Sequence, residues 1–191
     1  MCPVRTRPAL EAERVLEQAR SEYAALGEAW DNYQVDAELL GTLLFGLGMQ
    51  RVPDLRVGER SYAGFLDAGA RLVAVEANHH EHRQRFSIAH EIGHFVLHYL
   101  PGRVRGGIFA CTSSDMEVRA APHGDGARSL HLRQEAEANR FAAALLMPEA
   151  AVKAMHKVTG GRVFGLARHF KVSPKAMEIR LDQLGLAYSS K

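Results

Sequence analysis

The sequence predicts an α+β chain, mostly helical with one small sheet, ending in a helix-turn-helix-like region. Three observations carry this. Apolar residues recur at helical spacing through most of the chain. Between Val52 and Val75 they instead form short runs broken by Pro53, Gly58 and Asp67-Ala68-Gly69. The 191 residues correspond to roughly one domain with an appendage.

Residues 8–34 read as an N-terminal helical segment whose helix spans 8–27. Pro8 suits a first turn, Val15, Leu16, Ala19, Tyr23 and Leu26 keep a 3.6-residue period, and Gly27 is a stop. A second helix is expected from Val35 to Leu47, with a broad face of Leu39, Leu40, Leu43, Leu44 and Leu47. The runs 61–66 and 72–75 look like a hairpin. A third helix spans about 83–99, closed by Pro101-Gly102. Residues 101–130 show no period and read as a lid, a binding loop or a disordered excursion. Helices follow at 133–147, 149–158, 163–170 and 174–184. The last has Ser173 to cap it, Pro174 at its first position and Gly185 to end it.

Bulk composition narrows the function classes. The chain is 47% hydrophobic and 24% charged, an ordinary globular balance that excludes a disordered or collagen-like protein. The net charge of +2 is too small to argue for nucleic acid. The longest weakly charged apolar stretch, Ala37 to Met49, falls short of the ~20 residues needed to span a bilayer. No secretory signal is readable at the N-terminus, and Cys2 and Cys111 make no disulfide framework, so a cytoplasmic location is expected. Ten histidines beside two cysteines point to a metal site built from imidazole and carboxylate rather than thiolate.

The chemistry concentrates in His90-Glu91-Ile92-Gly93-His94, an HExxH pattern inside the third helix. Composition alone yields about 0.04 such matches in a chain like this. Residues four apart sit about 40° apart on a helix, so both imidazoles can reach one ion. Glu91, beside the first ligand, is placed to act as a general base. A catalytic zinc takes a third protein ligand and leaves one position for water. His98 cannot join, because His90 and His98 lie about 12 Å apart along the helix; it reads as a helix-end histidine. Gly and His are also missing from positions 97 and 100, which hold Leu97 and Leu100. A glutamate from the helix at 133–147 remains, with two candidates. Glu135 shares a face with Asn139, which could orient a ligand histidine, whereas Glu137 points about 200° away.

The runs Arg85-Phe86-Ser87-Ile88-Ala89-His90-Glu91-Ile92-Gly93-His94 and Glu135-Ala136-Glu137-Ala138-Asn139-Arg140-Phe141-Ala142-Ala143-Ala144-Leu145-Leu146-Met147-Pro148 together resemble the ImmA/IrrE family of zinc-dependent peptidases, over about residues 35–186. The resemblance implies a zincin-like core of the gluzincin type with a short three-stranded sheet. It puts zinc on His90, His94 and Glu135, with Glu91 catalytic, and a helix-turn-helix-like region behind. On this basis 1–150 is the metallopeptidase domain and 151–191 the C-terminal region, the short form without a sensor domain. The implied substrate is a helix-turn-helix repressor whose cleavage releases stress-response or mobile-element genes.

Several features are left open by the residues. Tyr62, Tyr99, His98, His123 and His131 are all candidates for a second oxyanion donor. The hairpin at 61–76 offers an edge on which substrate could lie as an added strand. Cys111 could reach the zinc and inhibit it, or simply be a buried thiol. His79-His80-Glu81-His82 is read as a solvated turn rather than a second metal patch. Residues 151–191 hold eight Lys/Arg against Glu178 and Asp182, a local +6. DNA binding there is the second reading; the first is packing on the catalytic core to help hold a protein substrate. Monomer and dimer are both compatible with the sequence.

Overall fold

A computed structural model describes residues 6–31, 33–57, 59–102, 107–112 and 126–189. Helix α1 (Arg7–Ala25) carries Pro8 in its first turn and buries Ala12, Val15, Leu16 and Ala19 along one face. Helix α2 (Ala37–Phe45) starts where the Asp36 carboxylate accepts the Leu39 N–H at 3.0 Å. It is shorter than the expected 35–47. Its face is also narrower: Leu40 is buried, whereas Leu39 and Leu43 are 47% and 38% exposed. Nine residues present only one stripe to the core, so Leu39 and Leu43 face outward while Leu44 packs partly against it.

Four strands form the main sheet, in the order β1 (Gly48–Val52), β5 (Leu72–Glu76), β4 (Gly64–Asp67), β6 (Ile108–Cys111). β1 runs parallel to β5, and β4 runs antiparallel to both β5 and β6. A separate two-stranded ribbon joins β2 (Arg56–Val57) and β3 (Arg60–Ser61). The expected three-stranded sheet is therefore corrected to four strands. The fourth, β6, lies within the stretch 101–130, where the sequence shows no period. Interior strand β5 buries Val73, Ala74 and Val75 in succession, as a strand flanked on both sides does. At its end Glu76 accepts the N–H groups of Leu55 (2.6 Å), Asn78 (2.8 Å) and Asp54 (3.2 Å), which pins the turn after β1.

Helix α3 (Glu81–His94) is capped by His80, whose Nδ1 accepts the His82 N–H at 3.2 Å. The expected single helix over 83–99 instead widens into a π turn at Phe95–Tyr99, where Leu100 N–H bonds to the Phe95 carbonyl at 2.9 Å. Helix α4 (Ala127–Leu146) begins six residues before the expected 133, because its exposed first turns carry no apolar period. It packs on both α1 and α3.

The C-terminal helices α5 (Glu149–Thr159), α6 (Val163–Phe170) and α7 (Pro174–Leu184) fall where the spacing put them. Ser173 caps α7 by accepting the Ala176 N–H. Val163, Leu166, Phe170, Met177 and Leu181 are buried in the same apolar cluster as Phe141, Leu145 and Leu146 of α4. Arg85 of α3 stitches this region down by donating to the carbonyls of Lys171 (2.6 Å), Val35 (2.9 Å) and Phe170 (3.2 Å). No helix among the described residues is long and apolar enough to cross a membrane.

Candidate metal centre

Helices α3 and α4 touch backbone to backbone at Gly93. A Cβ there would lie 3.2 Å from Ala138 Cα and 3.1 Å from the Phe141 ring. On this contact α3 projects His90 and His94, and α4 projects Glu135 and Asn139. His90 Nε2 lies 3.0 Å from His94 Nε2 and 3.2 Å from Glu135 Oε2; His94 Nε2 lies 3.3 Å from Glu135 Oε1. Strand β6 adds Cys111, with Sγ 3.4 Å from His94 Nε2 and 3.8 Å from Glu135 Oε1.

These four side chains are 0–2% exposed, and their donor atoms all lie within 4.8 Å of one another. The spacing fits a small tetrahedral ion. Bonds near 2.05 Å give N···N and N···O edges of about 3.3 Å, and a sulfur vertex lengthens them to about 3.6 Å. The imidazole–carboxylate expectation thus needs one correction, because a thiol lies among the donors. Asn139 Oδ1 sits 2.9 Å from His90 Nδ1. An N–H at Nδ1 donates to it and leaves the Nε2 lone pair facing the other donors.

Charge in the cluster follows from burial and pairing. Burial pushes His94 down to about 4, only partly offset by Glu135. Burial also acts to lower His90, but the Glu135 and Glu91 carboxylates outweigh it and hold the ring above its usual range. Burial acts to raise Glu135, yet hydrogen bonds from both imidazoles keep it well below the ordinary carboxylate range. The centre thus pairs an anionic Glu135 with a neutral His94 and with a His90 ring that the carboxylates favour as the cation, and a bound metal ion would take the place of that His90 proton.

Glu91 is fully buried beside this cluster, and among the described residues only the Cys111 thiol offers its carboxylate a hydrogen bond, one too poorly formed to satisfy either oxygen. Burial pushes it up to about 8. It fits only because residue 64 of β4 is glycine, where an added Cβ would collide with the Glu91 carboxylate.

The other sequence candidates are dispersed. Glu137 has a one-third-exposed side chain, 3.9 Å from the buried His98. His98 sits in the π turn, its ring 5.4 Å from that of His94. His131 is half exposed, with Nδ1 3.7 Å from Glu135 Oε1. Tyr99 stacks on Phe95. Tyr62 is half-buried, its N–H bonded to the Leu55 carbonyl. Cys2 and His123 lie outside the described residues. The histidines at 79–82 join no metal-like cluster among the described residues. Phe109 of β6, stacked on His94 at 4.8 Å between ring centroids, was not anticipated. A cavity of about 560 Å³ between α3, α4 and α7 is lined by Asn139 but by none of the four donors.

Comparison with known proteins agrees with this architecture. A solved structure, a Mycobacterium tuberculosis transcriptional regulator, superposes with a TM-score of 0.57 at 15% identity, over 89% of this chain and 46% of that one. At that identity the likeness is one of fold, and the chain spans about half the length of that neighbour. No curated protein matches in sequence. The model of the Peptidase_M78 family, the IrrE N-terminal-like domain, matches residues 51–182, a span that holds the HExxH helix, Cys111 and Glu135, and so the chain belongs to this family.

Proposed function

We propose that this chain is a zinc-dependent endopeptidase that makes a limited cut in a helix-turn-helix repressor, thereby releasing stress-response or mobile-element genes. The observation that carries the reading is Glu91, a buried carboxylate with no well-formed hydrogen bond among the described residues, set beside a donor group of His90, His94 and Glu135. A zinc ion held by those three residues would supply Lewis acidity to water and to the scissile carbonyl. Glu91 takes a proton from the attacking water on its carboxylate and passes it to the departing amine nitrogen. A divalent cation beside Glu91 favours the ionised form this role requires. Asn139 fixes the tautomer of His90. Residues 1–150 carry this apparatus. Residues 151–191 expose Arg168, Lys171 and Lys175 for docking a protein substrate in the cytoplasm.

The test incubates the purified chain with the helix-turn-helix regulator encoded beside its gene. One defined cut is expected, and Glu91→Gln should lower its rate about 10²–10⁴-fold while leaving about one zinc per chain. Zinc should be lost in His90→Ala and Glu135→Ala and kept in Glu137→Ala. Cleavage undiminished in Glu91→Gln would remove the base from the mechanism.

The nearness of Cys111 favours a second reading, a non-proteolytic regulator with a structural zinc, since a fourth protein ligand is the mark of structural sites. That reading expects no cut, and salt-sensitive DNA binding that charge reversal at Arg168, Lys171 and Lys175 abolishes.

A further inference from the structure

We infer that strand β6 is a built-in substitute for substrate: it fills the free edge of β4 and delivers Cys111 as a fourth metal ligand, closing the site at rest. The inference rests on the peptidase reading and adds a latent state to it. Three observations support it. First, β4 has two edges, one taken by β5 and the other by β6 in antiparallel register, with Gly64 opposite Cys111 and Asp67 opposite Ile108. The Ala63 N–H bonds to the Cys111 carbonyl at 2.9 Å, and the Ala68 N–H to the Gly107 carbonyl at 2.7 Å. A peptide added to the sheet beside Glu91 would need those same donors. Second, the sulfur stands at ligand-to-ligand distance from His94 and Glu135, where a tetrahedral ion needs its fourth donor. Third, with β6 in place His90, His94, Glu135 and Glu91 have at most 2% exposure, too little to admit an incoming carbonyl. Phe109, stacked on His94, completes the cover. One movement, β6 leaving β4, would both free the coordination position and expose the strand edge.

Cobalt substitution of the full chain tests this without a substrate. The wild type and Cys2→Ser should show near-ultraviolet thiolate-to-cobalt charge transfer, absent in Cys111→Ser and Cys111→Ala, with about one cobalt per chain in all four. Acetohydroxamate, a small metal-binding probe, should perturb the visible cobalt spectrum of the Cys111 variants at concentrations about tenfold or more below those needed for wild type. Absence of the thiolate band in wild type, or equal probe affinity in wild type and variants, overturns the inference and leaves the peptidase reading intact. If the band and the probe behave as expected but Cys111→Ser still cuts no regulator, β6 does close the site and the peptidase reading is the one that fails.

Discussion

Asn139 accepts the Nδ1 proton of His90 from a helix that also supplies Glu135, so one turn of α4 both donates to the centre and aims it. Asn139→Ala should weaken zinc binding about 10–100-fold in competition with a chelator, without changing stoichiometry at saturation. Gly64 acts on the other side. A methyl group at 64 would meet the Glu91 carboxylate before any other group and displace it. Gly64→Ala should therefore keep its zinc and cut the regulator about 10²-fold more slowly, the usual effect of misplacing a catalytic group by an ångström. Unchanged turnover in that variant would mean Glu91 is not the proton acceptor. At this scale the sequence was most informative where geometry is local. Spacing of four along a helix put Glu135 and Asn139 on one face, and the structure brings both to His90. Cys111 was harder to place, because its approach to His94 depends on a strand pairing that no local pattern encodes.

Among the elements, helices with a clear apolar stripe were legible to within about two residues at most ends. Three elements were not: β1, whose Gly48-Met49-Gln50-Arg51-Val52 follows straight on the second helix without a clear alternation, β6, and the π turn. β6 is only four residues in a Gly-rich stretch, and its partner β4 lies more than forty positions earlier. The π turn at Phe95–Tyr99 contains neither Pro nor Gly, so nothing in its composition announces it. The turn after β1 depends on a single carboxylate, Glu76, held below its usual range by hydrogen bonds from the Asn78 and Leu55 N–H groups. A carboxyl lowered in the folded state stabilises the fold above its unfolded pKa. That contribution is lost as pH falls through the lowered value. Glu76→Gln should accordingly lower the urea midpoint at pH 7, and the gap to wild type should narrow on moving to about pH 3. A gap that stays constant across this range would show that the charge on Glu76 is irrelevant to the turn.

Across the whole molecule, the C-terminal helices share one apolar cluster with the HExxH helix, and Arg180 bonds the Met147 carbonyl at 3.0 Å from a site only 6% exposed. Burial lowers Arg180 to about 10, still cationic at neutral pH. Arg180→Leu, which keeps the bulk and removes the donor, should destabilise the chain by about 1–3 kcal/mol in equilibrium unfolding. A variant as stable as wild type would show that apolar packing alone holds α7 in place. The backbone contact at Gly93 has a consequence of another kind. It sets how far apart the two donor-bearing helices stand, and so works as a caliper on the radius of the ion they can grip together. A methyl at 93 would push Ala138 and Phe141 outward by tenths of an ångström. Gly93→Ala should then shift selectivity from zinc toward the larger cadmium in direct competition, making the smallest residue of the motif the one that sets the size of its ion.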